Sequence, residues 1–251
     1  MVASEPIEPE PEYAGKKRSQ IISDSDDFLN HADDIIEKAS INNNRVKEVV
    51  VATLFAKIID DAHAIRLLCD QGWTIQGEII VRSSLETLFY MGACDRDDEA
   101  LKNYLCKHTL EKRRNINIAK NEPEYFDQAT RREVLSWEEE VTREINERKL
   151  KRLSAKTAAD IAGVTDLYLA YSLHSDAGHS NPYYLQEKYM SFDNDLPCQI
   201  NYGQNPVQYE NVLLSSNVIL ALACKWYRKI FAIECDPHIE QITLPYLKEN
   251  A

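Results

Sequence analysis

The chain has 251 residues, with 29 Lys and Arg against 41 Asp and Glu, for a formal net charge of −12. Hydrophobic residues make up 44 % and charged residues 28 %, a globular profile rather than a disordered one. Seven glycines and six widely spaced cysteines exclude a collagenous or disulfide-scaffold protein, and the absence of any G-x-G-x-x-G or G-x-x-x-x-G-K run argues against phosphate-loop α/β folds.

Residues 1–22 are Pro/Glu-rich, carry Lys16-Lys17-Arg18 and lack hydrophobic periodicity, which predicts a flexible tail. The first residues hold neither a basic nor an apolar leader segment, so a cytoplasmic protein is expected. Phe28 to Ser40 reads as a short amphipathic helix. Arg45 to Asp70 follows, apolar on almost every face, and is expected to be the most buried helix of a bundle. Gln71-Gly72 breaks it. Thr74 to Gly92 is the next helix, then Asp97 to Asn121, with three acids in its first turn where the helix dipole favours them. Pro123 opens a highly charged helix to Arg152. Ser154–Ile161 and Val164–Gly178 are shorter.

Residues 182–206 contain Pro182, Pro197, Gly203 and Pro206 without clear periodicity, which predicts a long irregular loop before the closing helix, Val207 to Phe231. The longest uncharged apolar run, Asn211 to Cys224, is 14 residues, short of the ~20 that span a bilayer. No strand alternation is found. The expectation is one all-α antiparallel bundle over 23–236, with 237–251 as a C-terminal tail. Most cysteines sit in apolar stretches and are expected to be reduced and buried.

Charge is distributed unevenly. Residues 96–156 hold 15 Lys/Arg and 13 Asp/Glu, a local +2 that leaves −14 for the rest. The clusters Lys112-Arg113-Arg114 and Arg148-Lys149-Leu150-Lys151-Arg152 are suited to phosphates; the competing reading is a solvated helix laced with pairs such as Glu144–Arg148.

Two stripes carry chemistry. On a helical wheel, Glu78 and Glu86 lie about 40° to either side of Arg82, among Ile75, Ile79, Leu85 and Phe89. Glu78-x-x-x-Arg82-x-x-x-Glu86 is therefore expected to run down the middle of a buried face, either as a structural ion-pair network or as a binding or catalytic site. Tyr171, Ser175 and His179 are spaced i, i+4, i+8 and share a second face, with His174 pointing away. Gly178-His179-Ser180-Asn181-Pro182 looks like a helix end, where an imidazole is placed for proton transfer.

Arg82-Ser83-Ser84-Leu85-Glu86, Tyr171-x-x-x-Ser175-x-x-x-His179 and the following Asn-Pro turn resemble a bacterial family of helical proteins of unknown function. Ala62-His63-Ala64-Ile65-Arg66-Leu67-Leu68 and Gly77-Glu78-Ile79-Ile80-Val81 fit the same pattern, and the resemblance runs from about Arg45 to Phe231. That family is reminiscent of the HEPN superfamily, helical bundles that often dimerise and include many metal-independent ribonucleases of toxin–antitoxin and anti-phage systems. The HEPN signature is an Arg, four to six intervening residues, then a His on one helix. No Arg here has that spacing, and Lys102-x5-His108 is a lysine variant.

The resemblance implies an effector acting on RNA or a nucleotide. His179 would be the general acid or base, Arg82 the stabiliser of developing phosphorane charge and Glu86 the group that orients them. Glu78, Tyr171 and Ser175 would bind substrate, and loop aromatics such as Tyr184 and Tyr202 would stack a base. No cofactor or metal is expected. The alternatives are a non-catalytic, homodimeric interaction or regulatory module with a protein partner, and a metal hydrolase built on Glu78, Glu86, His63 and His179. The second lacks the paired Glu-x-x-His of bundle metal sites, Asp60-x-x-His63 being the nearest approach.

Overall fold

The computed structural model describes residues 12–13, 15–179, 181–194, 196–204 and 209–248. Four long helices make the body: α1 (Arg18–Lys38), α2 (Val46–Asp70), α3 (Thr74–Arg96) and α11 (Glu210–Phe231). The turn at Gly72, with φ +74°, lets α3 fold back along α2. α11 closes the bundle against α1, α2 and α3. Mostly helical architecture is as the hydrophobic periodicity predicts. No helix among the described residues is long and apolar enough to cross a membrane.

The central helix is α3, not the second helix that the sequence pointed to. α2 leaves Val46 and Leu67 exposed, at 52 % and 63 %. In α3, every residue from Thr87 to Cys94 is buried, because α2, α4 (Asp98–Leu105), α8 (Ala155–Ala162), α9 (Leu167–Gly178) and α11 all pack on it. Gly92 permits the closest of these approaches. A Cβ there would lie 2.7 Å from the Ala162 Cβ and 2.7 Å from the Trp226 ring.

The helix expected over 97–121 is divided at Cys106 into α4 and α5 (Lys107–Asn121). Leu101 and Tyr104 pack on the main core, whereas Ile116 and Ala119 join a second small core with Val134 and Val141. One straight helix cannot serve both. The charged stretch after Pro123 is likewise divided, into a 3-10 turn at Pro123–Tyr125, α6 (Gln128–Ser136) and α7 (Glu138–Arg148). Asp127 starts α6 by accepting the Ala129 and Thr130 amides. Together α5, α6 and α7 form an arm standing off the bundle on its own core.

Both expected tails and the expected loop are corrected where they are described. Residues 12–13 (β1) and 16–17 (β2) pair antiparallel, and α1 begins at Arg18. The segment after 236 forms α12 (Pro237–Lys248), anchored by a buried polar cluster. The Tyr246 hydroxyl donates to the fully buried Asp24 at 2.6 Å, Lys16 pairs with the same carboxylate at 2.6 Å, and the Asn217 amide donates to the Tyr246 oxygen at 3.2 Å. Leaving Asp24 without these partners would be costly, so the C-terminal helix is bound in place. The loop region holds α10 (Pro182–Tyr189) and a hairpin, β3 (Met190–Asp193) with β4 (Leu196–Ile200). Asn181 caps α10 by accepting the Tyr183 amide at 2.9 Å, and Pro182 occupies its first turn, a start signal that reads equally as loop chemistry.

Candidate functional site

α9 lies across α3 and brings the two predicted stripes together. Arg82 donates through Nε to Ser175 Oγ at 2.9 Å and through Nη2 to the Tyr171 hydroxyl at 2.7 Å. Its guanidinium carbon sits 4.6 Å from the Tyr171 ring centre, a cation–π arrangement. Ser175 in turn donates to the Tyr171 carbonyl at 2.9 Å. Glu86 stands one helical turn along, 3.7 Å from Arg82 Nη1. Its carboxylate accepts from the Tyr90 hydroxyl at 3.1 Å and from the Tyr171 hydroxyl at 3.4 Å. Burial, then the Glu86 charge, pushes both phenols above the ordinary tyrosine range. They remain donors near neutral pH.

This cluster is half-buried, with Arg82 and Glu86 side chains 25 % and 29 % exposed. It therefore sits at the border of the buried face of α3 rather than down its middle. Ile79 is exposed, whereas Ser84 and Thr87 are buried, so the apolar face is rotated from the one the wheel suggested. The cause is the number of neighbours: with helices on several sides, no single arc of α3 is the inside.

Arg82, Glu86, Tyr90 and Tyr171 form one wall of a cleft of about 880 Å³. The arm supplies the opposite wall with Lys107, Arg113 and Arg114, and the segment entering α8 adds Arg152. Lining cations number five (Arg82, Lys107, Arg113, Arg114, Arg152) and anions two (Glu86, Glu111), a net +3 in a chain of net −12. The cation cluster Lys112-Arg113-Arg114 thus reaches the cleft through its two arginines. Arg148 instead pairs with Glu144 at 2.9 Å, as expected of a solvated helix.

Glu78 is not part of the Arg82 network. Its carboxylate accepts from the Tyr184 hydroxyl at 2.8 Å and lies 3.8 Å from Lys188 Nζ, so α10 covers it. Tyr184, Lys188 and Tyr90 are the partners that sequence reasoning missed as such; the i, i+4 spacings Tyr184–Lys188 and Glu86–Tyr90 were the available signals.

His179 caps the C-terminus of α9, its amide donating to the Ser175 carbonyl at 3.1 Å. Its side chain is exposed, lines neither of the two large cavities and has no hydrogen-bond or ion-pair partner among the described residues. The preceding Gly178 lies against Arg82, 4.0 Å from its Cδ when a Cβ is added, so the imidazole belongs to the same end of α9 without joining the cluster. His174 is the more enclosed imidazole, 3.4 Å from Ser215 Oγ. Burial lowers its pKa below 6.5, against the raising effect of Glu78 and with a further lowering by Lys188.

His63 pairs with Asp33 at 3.1 Å, away from Glu78 and Glu86, so the four residues of the metal-hydrolase alternative do not converge. No group of three or more His, Cys, Asp or Glu suited to a metal ion is found among the described residues.

No curated protein and no solved structure matches the chain. Residues 48–197 match a family of unknown function, DUF5677. That span takes in α2 and α3, the arm, and the α9 and α10 residues that meet Arg82 and Glu78. By this match over more than half its length, the chain belongs to the DUF5677 family.

Proposed function

We propose that this protein binds RNA or a phosphate-bearing nucleotide in the cleft between the bundle and the arm. One observation carries the reading: a cleft of net +3 charge in a chain of net −12, with Arg82 held in a fixed orientation in its wall. The phenol and hydroxyl that hold Arg82 are uncharged, and Glu86 is shared between Arg82 and two tyrosines. The guanidinium keeps its charge for a ligand, and its planar fork suits phosphate oxygens.

In the effector form of the proposal, the HEPN-like reading, His179 transfers the proton during RNA cleavage and Arg82 stabilises the charge that develops on phosphorus. The exposed position of His179 favours the second reading, a binding module without cleavage and with a second copy or another protein as partner. Fluorescence anisotropy with a labelled single-stranded RNA tests the shared part. Each phosphate contacted should contribute a slope of about −0.7 in log K against log salt, so three to five contacts give about −2 to −3.5. Arg113→Glu with Arg114→Glu should remove binding. Salt-independent binding, or binding that survives that double variant, overturns the proposal. Incubation with RNA then separates the readings. Cleavage lost in His179→Ala with unchanged circular dichroism supports the effector; binding without cleavage supports the module, whose dimer light scattering would detect.

A further inference from the structure

A second cavity, of about 560 Å³, opens where the start of α3 meets the end of α10 and the residues following β4. Its volume is in the range of small-molecule sites. It differs in chemistry from the basic cleft. Glu78 and Lys188 are its charged groups, one of each sign, so its lining is neutral. Trp73, Tyr189 and Tyr202 supply aromatic rings, Trp73 at 36 % and Tyr202 at 90 % exposure. Gln76, Gln199 and Gln204 add amides with donors and an acceptor, while the Asn201 amide already donates to Ser191 Oγ at 2.9 Å. A neutral ligand with flat faces and a hydrogen-bonding edge fits such a lining.

The polar pair specifies the edge. The Glu78 side chain is 14 % exposed, and one of its oxygens already accepts from Tyr184 at 2.8 Å. An ionised carboxylate only accepts, and this one has lone pairs left over. Lys188 Nζ lies 3.8 Å from the other oxygen, too far for a direct hydrogen bond, and only donates. Acceptor and donor therefore stand side by side with capacity to spare. Guanine presents the complement, the O6 acceptor next to the N1–H and N2–H donors. Adenine and cytosine turn a ring-nitrogen acceptor toward the carboxylate, and uracil offers a single N–H.

We propose that this cavity is a guanine-binding site, with Glu78 accepting from N1–H and N2–H, Lys188 donating to O6, and Trp73 and Tyr202 packing on the ring. The site is separate from the cleft. Guanosine carries no phosphate, so its binding should be indifferent to salt, whereas cleft binding weakens with salt, and either proposal can fail alone.

Calorimetric titration of the full chain with guanosine, adenosine, cytidine and uridine tests it, followed by single-stranded RNAs with and without guanine. Guanosine should bind at least about tenfold more tightly than the others, since a mismatched edge leaves Glu78 facing an acceptor. Glu78→Gln should lose that preference, and Trp73→Ala, with circular dichroism unchanged, should weaken guanosine by about tenfold. A guanine-containing RNA should bind more tightly than a guanine-free one, and Glu78→Gln should remove the difference. No guanosine binding, equal binding of all four nucleosides, or a preference that survives Glu78→Gln overturns the assignment.

Discussion

Arg82 is positioned by geometry rather than by charge alone. Its Nε and Nη2 donate to Ser175 and Tyr171 at the same time from two nitrogens held in one plane, a geometry that the single nitrogen of a lysine does not reproduce. Arg82→Lys should therefore weaken RNA binding by about tenfold in the anisotropy assay, although the charge is retained. His174 predicts a pH effect. Its folded pKa lies below 6.5, mainly from burial, so on acidification the unfolded chain takes up the proton first. Stability that is complete above about 6.5 should fall as pH drops from there toward the lowered folded value. His31, lowered by burial and by Arg228, acts in the same sense. Urea denaturation across that window should show a shallower pH dependence in His174→Asn than in the wild type. At this scale the residues Arg82, Glu86, Tyr171 and Ser175 were legible in the sequence, because helical spacing sets which side chains share a face. That Glu78 turns to Tyr184 and Lys188, and that His179 faces solvent, was not. The first depends on where α10 lies.

The helices meet through small residues and buried polar pairs, and their sequence signals vary in strength. Gly92→Ala raises helix propensity by about 1 kcal/mol, yet its Cβ would meet Ala162 and the Trp226 ring at 2.7 Å. Overpacking should dominate, for a net loss of about 1–3 kcal/mol by urea denaturation. Long helices such as α2 and α11 were readable from their length and apolar content. α10 and α12 were not, because short helices owe most of their stability to tertiary contacts. Tyr184 of α10 is buried on Glu78, and Tyr246 of α12 on Asp24; neither contact has a signature in the local sequence. β3 and β4 were missed for a similar reason. Pro197 and the register shift beside Phe192 interrupt the alternation that marks a strand.

Across the whole molecule, accessibility follows the two cores. All six cysteines are free, and Cys69, Cys94, Cys106 and Cys224 are buried. Burial pushes the Cys69 and Cys94 thiols up to about 12. The expectation that thiols are buried fails for Cys198, exposed on β4, and for half-exposed Cys235. A thiol reagent counted by mass spectrometry should modify Cys198 first, Cys235 more slowly and the other four only in denaturant. Composition and periodicity by themselves determined that this chain is a helical bundle and that Arg82 and Glu86 share a face with each other, as Tyr171 and Ser175 do. These properties follow from nearest neighbours along one helix. Only the tertiary structure decided that the arm stands opposite Arg82 to make a basic cleft, that Glu78 belongs to a second cavity, and which helix is central. Those outcomes depend on contacts between segments far apart in the chain, such as Arg82 with Ser175, 93 positions along, and Gly92 with Trp226, and no local pattern encodes their relative placement.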